Sequence, residues 1–116
     1  MILGQGTDII EVERISNAVK KWGDDFLKHV FTDQEIAYAK KRRYPDQHLA
    51  ARFAAKEAVL KALGENAHVG WKDIEIINQH NGRPSCIFHI KEFNKKIFVS
   101  LSHTKNYAVA NAIITM

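Results

Sequence analysis

The stretch PDQHLAARFAAKEAVLKALG, residues 45–64, decides the architecture. Pro45 suits the first turn of a helix, where its missing N–H costs nothing, and Gly64 is a natural C-cap. The spacing between them predicts the longest helix of the chain. Ala50, Ala51, Ala54, Ala55, Ala58 and Ala62 leave much of its surface nearly flat. A flat helix can lie close against an element that is equally small. Ala108, Ala110 and Ala112 recur at period two near the end of the sequence, so one face of a strand there meets the requirement. The expected pairing of this helix with that strand explains why both avoid large residues.

Working upstream, Thr32 and Glu35 have the form of a capping box. The helix they open carries Ile36 and Ala39 inward and ends among Lys40–Arg43. A short helical piece with Phe26, Leu27, Val30 and Phe31 precedes it. Val12, Ile15 and Val19 return at helical spacing from Glu11, and Gly23 ends that segment. Residues 2–10 alternate glycine and small polar residues with apolar ones, predicting a strand that ends near Asp8. Downstream, residues 74–79, 85–90, 97–102 and 107–114 read as strands. Asn81-Gly82 marks a turn between the first two, and the loop Ser102-His103-Thr104-Lys105-Asn106 joins the last two as a hairpin. Helices early and strands late predict one α+β domain over residues 1–116, a long alanine-rich helix packed on an antiparallel sheet.

The 116 residues are 46% hydrophobic and 26% charged, the balance of an ordinary globular protein. A single cysteine, Cys86, allows no internal disulfide and fits a reducing compartment. The opening MILGQGTDIIEVERI lacks a basic region before a long apolar run, so it does not read as a signal peptide. No apolar stretch approaches the roughly 20 residues that span a bilayer. The expected location is the cytoplasm, with no membrane partner. A net charge of +4 favours an anionic partner without naming it, and by itself is equally compatible with mere solubility.

Three groups of residues carry chemistry. Asp8 stands near the end of the first strand, and Gly4 and Gly6 share its face, so a ligand or another backbone can approach there. The structural alternative is that Asp8 caps the following helix. Arg52, Lys56, Glu57 and Lys61 are embedded among the alanines of the long helix. Glu57 and Lys61, four apart, project from one side and form at least a surface ion pair. Burial of such charges needs a metal, a phosphate or an opposite charge. The loop from Ser102 to Asn106 can hydrogen-bond a phosphate or ribose, or be an ordinary polar hairpin tip. No carboxylate stands at a spacing that makes Ser102 and His103 a nucleophile and base. Zinc motifs, a Walker loop and GxGxxG are absent. Asp8 with Glu57 instead suits Mg²⁺, which takes a few hard oxygens plus phosphates and water.

The segments GTDIIEVERI (Gly6 to Ile15), RFAAKEAVLKALG (Arg52 to Gly64), GRP (Gly82 to Pro84) and SLSHTKNYAVA (Ser100 to Ala110) resemble, in order, the motifs of the acyl-carrier-protein synthase family of phosphopantetheinyl transferases. The resemblance implies transfer of 4′-phosphopantetheine from coenzyme A to a serine of an acidic acyl carrier protein, in fatty acid biosynthesis. It implies Asp8 and Glu57 as Mg²⁺ ligands and Lys61 on the same phosphates. It further implies Arg52, Arg83, Pro84, Ser102, His103 and Thr104 around the nucleotide and its 3′-phosphate, and Arg14 facing the carrier. Glu57 is also the candidate acceptor of the serine proton. The family is commonly a homotrimer with active sites shared between neighbours. Two positions depart from its usual pattern: Gln5 replaces an apolar residue, and Val59-Leu60 replaces an aromatic and a small polar one.

Two readings compete. Lys40-Lys41-Arg42-Arg43 and Lys95-Lys96 would supply phosphate contacts in a nucleic-acid-binding module. Its strands would, however, lack interleaved aromatics, and Glu57 would have no task, so nucleic acid is not the expected partner. An inactive carrier-binding homologue would keep Arg14 but fail to bind coenzyme A.

Overall fold

In the computed structural model, which describes residues 1–64 and 68–116, the chain runs β1 (Ile2–Glu11), α1 (Val12–Trp22), α2 (Asp24–Val30), α3 (Asp33–Lys40) and α4 (Pro45–Leu63). A 3₁₀ turn (Trp71–Asp73) then leads into β2 (Ile74–Asn78), β3 (Pro84–Phe88), β4 (Lys96–His103) and β5 (Tyr107–Thr115). The fold is α+β, as the sequence predicts.

Helix α4 is the axis of the molecule. Leu49, Ala50, Ala51, Ala54, Ala55, Ala58 and Val59 are all buried, so packed elements surround much of the helix. Ala108, Ala110 and Ala112 of β5 are at most 2% exposed and face it. β5 is the central strand of an antiparallel sheet ordered β1-β5-β4. On β1 the helix comes closer still. A Cβ on Gly4 would lie 2.1 Å from the Ala62 carbonyl oxygen, and one on Gly6 equally close to that of Ala58. The backbone that approaches the two glycines is therefore α4.

The capping box at Thr32 and Glu35 forms as expected. Glu35 goes further: its carboxylate accepts from the Ile76 N–H at 2.8 Å and pairs with Lys56 Nζ at 2.7 Å, both side chains fully buried. Lys56 Nζ also donates to the Val30 and Trp71 carbonyls. Burial pulls the Lys56 ammonium below its ordinary range, and Glu35 opposes that shift. The pair ties α3, α4 and β2 into one unit. Glu75 extends it by accepting the Thr32 hydroxyl.

Three features differ from the sequence-based expectation. β1 continues past Asp8 to Glu11, because β5 pairs with it as far as Tyr107, and the Val12 N–H then donates to the Asn106 carbonyl. α1 accordingly begins at Val12 with Glu11 as its N-cap, so Asp8 caps nothing. The strands also divide into two sheets. β2 and β3 form a separate hairpin whose Ile74 and Ile76 are fully buried in the core that contains α4. Its turn closes through Gln79 and Arg83, with Gly82 at φ +83 supplying the left-handed residue.

Candidate active site

β1 alternates, so Gly4, Gly6 and Asp8 share the face turned to α4. The absence of side chains at the two glycines seats the strand on the helix and carries Asp8 to the row occupied by Lys61 and Glu57. Lys61 Nζ lies 3.2 Å from Asp8 Oδ1 and 3.0 Å from the Thr7 carbonyl oxygen. Lys61 thus pairs with Asp8, where the sequence alone allowed a surface pair with Glu57. Asp8 and Glu57 line a cleft of about 200 Å³ with Ile9, Ile10, Phe53 and Arg14. Phe53 is fixed there by stacking on Trp71, centroids 5.1 Å apart. Burial, then repulsion from Asp8, holds the Glu57 carboxyl above its usual range, and Lys61 partly offsets them.

Two carboxylates about 4 Å apart would repel by roughly 4 kcal/mol at an effective dielectric of about 20. Asp8 does repel the Glu57 carboxylate, so the cleft favours a positive species beside the two. Among the described residues no group of three or more His, Cys, Asp or Glu side chains could hold a metal. A two-carboxylate donor set is poor for zinc and adequate for a hard cation that keeps water or takes phosphate oxygens.

A second cleft, about 170 Å³, lies elsewhere on α4. Arg52, His48, Tyr38, Asn78, Pro84 and His103 line it. Arg52 is 4% exposed; it donates to Asn78 Oδ1 at 2.6 Å and stacks on Tyr38 at 4.0 Å. Its Nε is buried without a hydrogen-bond partner among the described residues. Arg42 covers the Tyr38 ring at 4.1 Å. The five-residue step from Arg52 to Glu57 turns the helix by about 140°, which separates the two clefts within one chain.

Arg83, Ser102 and Thr104 do not join Arg52 and His103. Arg83 is exposed and lines a third groove, about 510 Å³, between β3 and β4; Pro84 borders both. Ser102 is exposed on β4 and alternates away from His103, which faces α4. The Thr104 hydroxyl is occupied within its own hairpin, accepting from the Asn106 and Tyr107 N–H groups. Sequence reasoning missed Tyr38, His48 and Asn78. His48 stands one helical turn before Arg52, and that spacing was the available signal. Cys86 offers no nucleophile: burial, aided by Glu35, pushes its thiol up to about 12.

Residues 4–112 match the family model described as the 4′-phosphopantetheinyl transferase superfamily. The chain belongs to that superfamily. It is a 4′-phosphopantetheinyl transferase, and its curated relatives include the holo-[acyl-carrier-protein] synthase of Thermodesulfovibrio yellowstonii, 51% identical over 99% of this chain and all of the relative. A second, from Protochlamydia amoebophila, is 47% identical over 97% of this chain and 98% of the relative. Among solved structures, the holo-[acyl-carrier-protein] synthase of Neisseria meningitidis superposes with a TM-score of 0.89 at 29% identity, each chain fully covered. The Bacillus anthracis enzyme, described as a complex with CoA (3′,5′-ADP), superposes at 0.85 with 35% identity, covering 99% of this chain and 97% of that one. The transferase has no helix, among the described residues, long and apolar enough to cross a membrane.

Proposed function

We propose that this phosphopantetheinyl transferase is a holo-acyl-carrier-protein synthase: it moves 4′-phosphopantetheine from coenzyme A to a serine of an apo acyl carrier protein and releases 3′,5′-adenosine bisphosphate. The observation that carries the proposal is that Asp8 and Glu57 line one cleft edged by Arg14, with Lys61 paired to Asp8 beside it. The relatives' names and the coenzyme A in the Bacillus anthracis structure support the same substrate and acceptor.

Asp8 and Glu57 would hold Mg²⁺. When bound there, the ion supplies charge neutralisation for the pyrophosphate under attack. Lys61, anchored on Asp8 and the Thr7 carbonyl, stands ready to stabilise charge on the leaving nucleotide. The nucleophile comes from the carrier, in agreement with the lack of an activated serine or thiol in this site. Glu57 is the candidate to accept the serine proton, and its raised basicity suits that task. Arg14, exposed on α1 beside the cleft, faces the acidic carrier; Lys20, Lys21 and Lys28 lie exposed on the same helical layer. Arg52, Pro84 and His103 receive the nucleotide end, and Arg83, Ser102 and Thr104 border it only if a neighbouring chain or the ligand brings them in.

A homotrimer with shared sites accounts for the separation of the two clefts. The sheet face turned from α4 is exposed and apolar, with Leu3, Ile9, Phe98, Tyr107 and Val109 between 38% and 65% exposed. Such a face is available for burial against copies of the same chain. The expected setting is cytoplasmic fatty acid biosynthesis.

The reaction makes a distinctive small-molecule product. Chromatography of a mixture of protein, coenzyme A, Mg²⁺ and apo carrier should reveal 3′,5′-adenosine bisphosphate. No release without carrier or with EDTA completes the expected result. Product formed equally without carrier would refute transfer in favour of hydrolysis.

A further inference from the structure

The cleft around Arg52 is basic in character. None of its lining residues is acidic, and four cationic or protonatable side chains crowd its rim: Arg52, Arg42, His48 and His103. The His48 ring meets the His103 ring edge-on at 4.9 Å and Tyr38 at 5.8 Å. The groups that face His48 are Tyr38 of α3, Arg42 just beyond it, Arg52 of its own helix and His103 of β4. Asp46, two residues earlier on α4, is engaged by the Ser16 hydroxyl at 2.7 Å.

We propose that His48, together with His103, binds the phosphomonoester at the nucleotide end of the substrate, and that His48 takes up a proton as that group enters. The inference rests on coenzyme A being the substrate. In the free protein, burial, then His103, Arg52 and Arg42, push His48 below its ordinary value, which favours the uncharged ring. A neutral imidazole offers one N–H; the protonated ring offers two and a full charge. A phosphomonoester is largely dianionic at pH 7 and carries three acceptor oxygens. An anion within a few ångströms favours the imidazolium, reversing the shift that the neighbouring cations impose. The buried, unpartnered Nε of Arg52 marks the same cleft as built for a further acceptor. The sign follows: affinity for the phosphomonoester falls as pH rises from the depressed value of free His48 through the higher value that a neighbouring anion gives it.

Isothermal titration calorimetry of the assembled protein, in two buffers of different ionisation enthalpy, counts the protons taken up. The ligands are coenzyme A and dephospho-coenzyme A, which lacks the phosphomonoester; the proteins are wild type, His48→Phe and His48→Gln. Wild type should take up protons on binding coenzyme A near pH 7 and bind it several-fold more weakly near pH 8 than near pH 6. Both variants should take up fewer protons and show a flatter profile, whereas dephospho-coenzyme A should not distinguish them from wild type. Equal proton uptake by wild type and both variants would overturn the role of His48. A wild type that binds no coenzyme A at any pH would instead overturn the substrate reading beneath it.

Discussion

Glu57 sits where the fold makes its charge unwelcome. Burial and Asp8 both raise its carboxyl above the ordinary range, and the Lys61 ammonium only partly compensates. A carboxyl whose value is raised by folding binds its proton more tightly in the folded state, so its ionised form weakens the fold above that raised value. That penalty disappears as pH falls through it. Glu57→Gln should therefore leave the metal-free protein at least as stable as wild type near pH 7, and Mg²⁺ should raise the melting temperature of wild type more than that of the variant. Differential scanning calorimetry with and without Mg²⁺ checks both signs. The same substitution should lower kcat on the order of 100-fold or more, since the proposed metal ligand and the proposed proton acceptor are lost together. Normal turnover at saturating Mg²⁺ would remove Glu57 from the mechanism. Metal affinity should also weaken as pH falls toward the raised Glu57 value, because the proton and the cation compete for one carboxylate.

At the scale of elements, the site depends on how closely β1 lies on α4. Gly6→Ala would put a methyl group 2.1 Å from the Ala58 carbonyl oxygen, so strand and helix must separate. The expected cost is about 1–3 kcal/mol, with activity falling further than stability because Asp8 moves away from Glu57. Urea unfolding and kcat/KM on the same samples measure the two effects. Lys56→Met leaves the Glu35 carboxylate buried without its cation, and should cost about 3–5 kcal/mol in the same unfolding assay. These elements also mark what a sequence can disclose. The alanine-rich helix and the alternating alanines of β5 were legible together, because small residues at two different periods have one joint explanation. Gly4 and Gly6 announced a close approach without naming the partner. The Lys56–Glu35 pair was hidden, since it joins residues 21 apart through a contact that exists only after α3 and α4 pack. The division of the strands into two sheets was hidden likewise: period-two patterning shows which face is buried, not which strand lies alongside. At the site, residue type and motif order marked Asp8, Glu57 and Lys61 as candidates, and the fold brings them together. His48 had only its spacing, one turn before Arg52, to mark it, and Tyr38 and His103 surround it only after α3 and β4 pack.

The whole molecule presents acidic and basic clefts apart on one chain and an apolar sheet face open to solvent. Ile9 of β1 is paired in register with Val109 of β5, and Phe98 of β4 with Ile113, so the exposed side chains form rows across the sheet. Gln5 lies exposed on this same face, which accounts for its polarity without touching the acidic cleft; Val59, by contrast, is fully buried in the core. In the proposed homotrimer Phe98→Glu should favour smaller species, read by analytical ultracentrifugation, and lower activity in parallel. The central claim is the reaction itself. Intact-mass spectrometry of an apo acyl carrier protein, incubated with this protein, coenzyme A and Mg²⁺, tests it most directly. The account predicts a gain of one phosphopantetheine on the carrier, abolished by EDTA and by Glu57→Gln. An unmodified carrier, across several carriers and with a folded protein that binds coenzyme A, would contradict it.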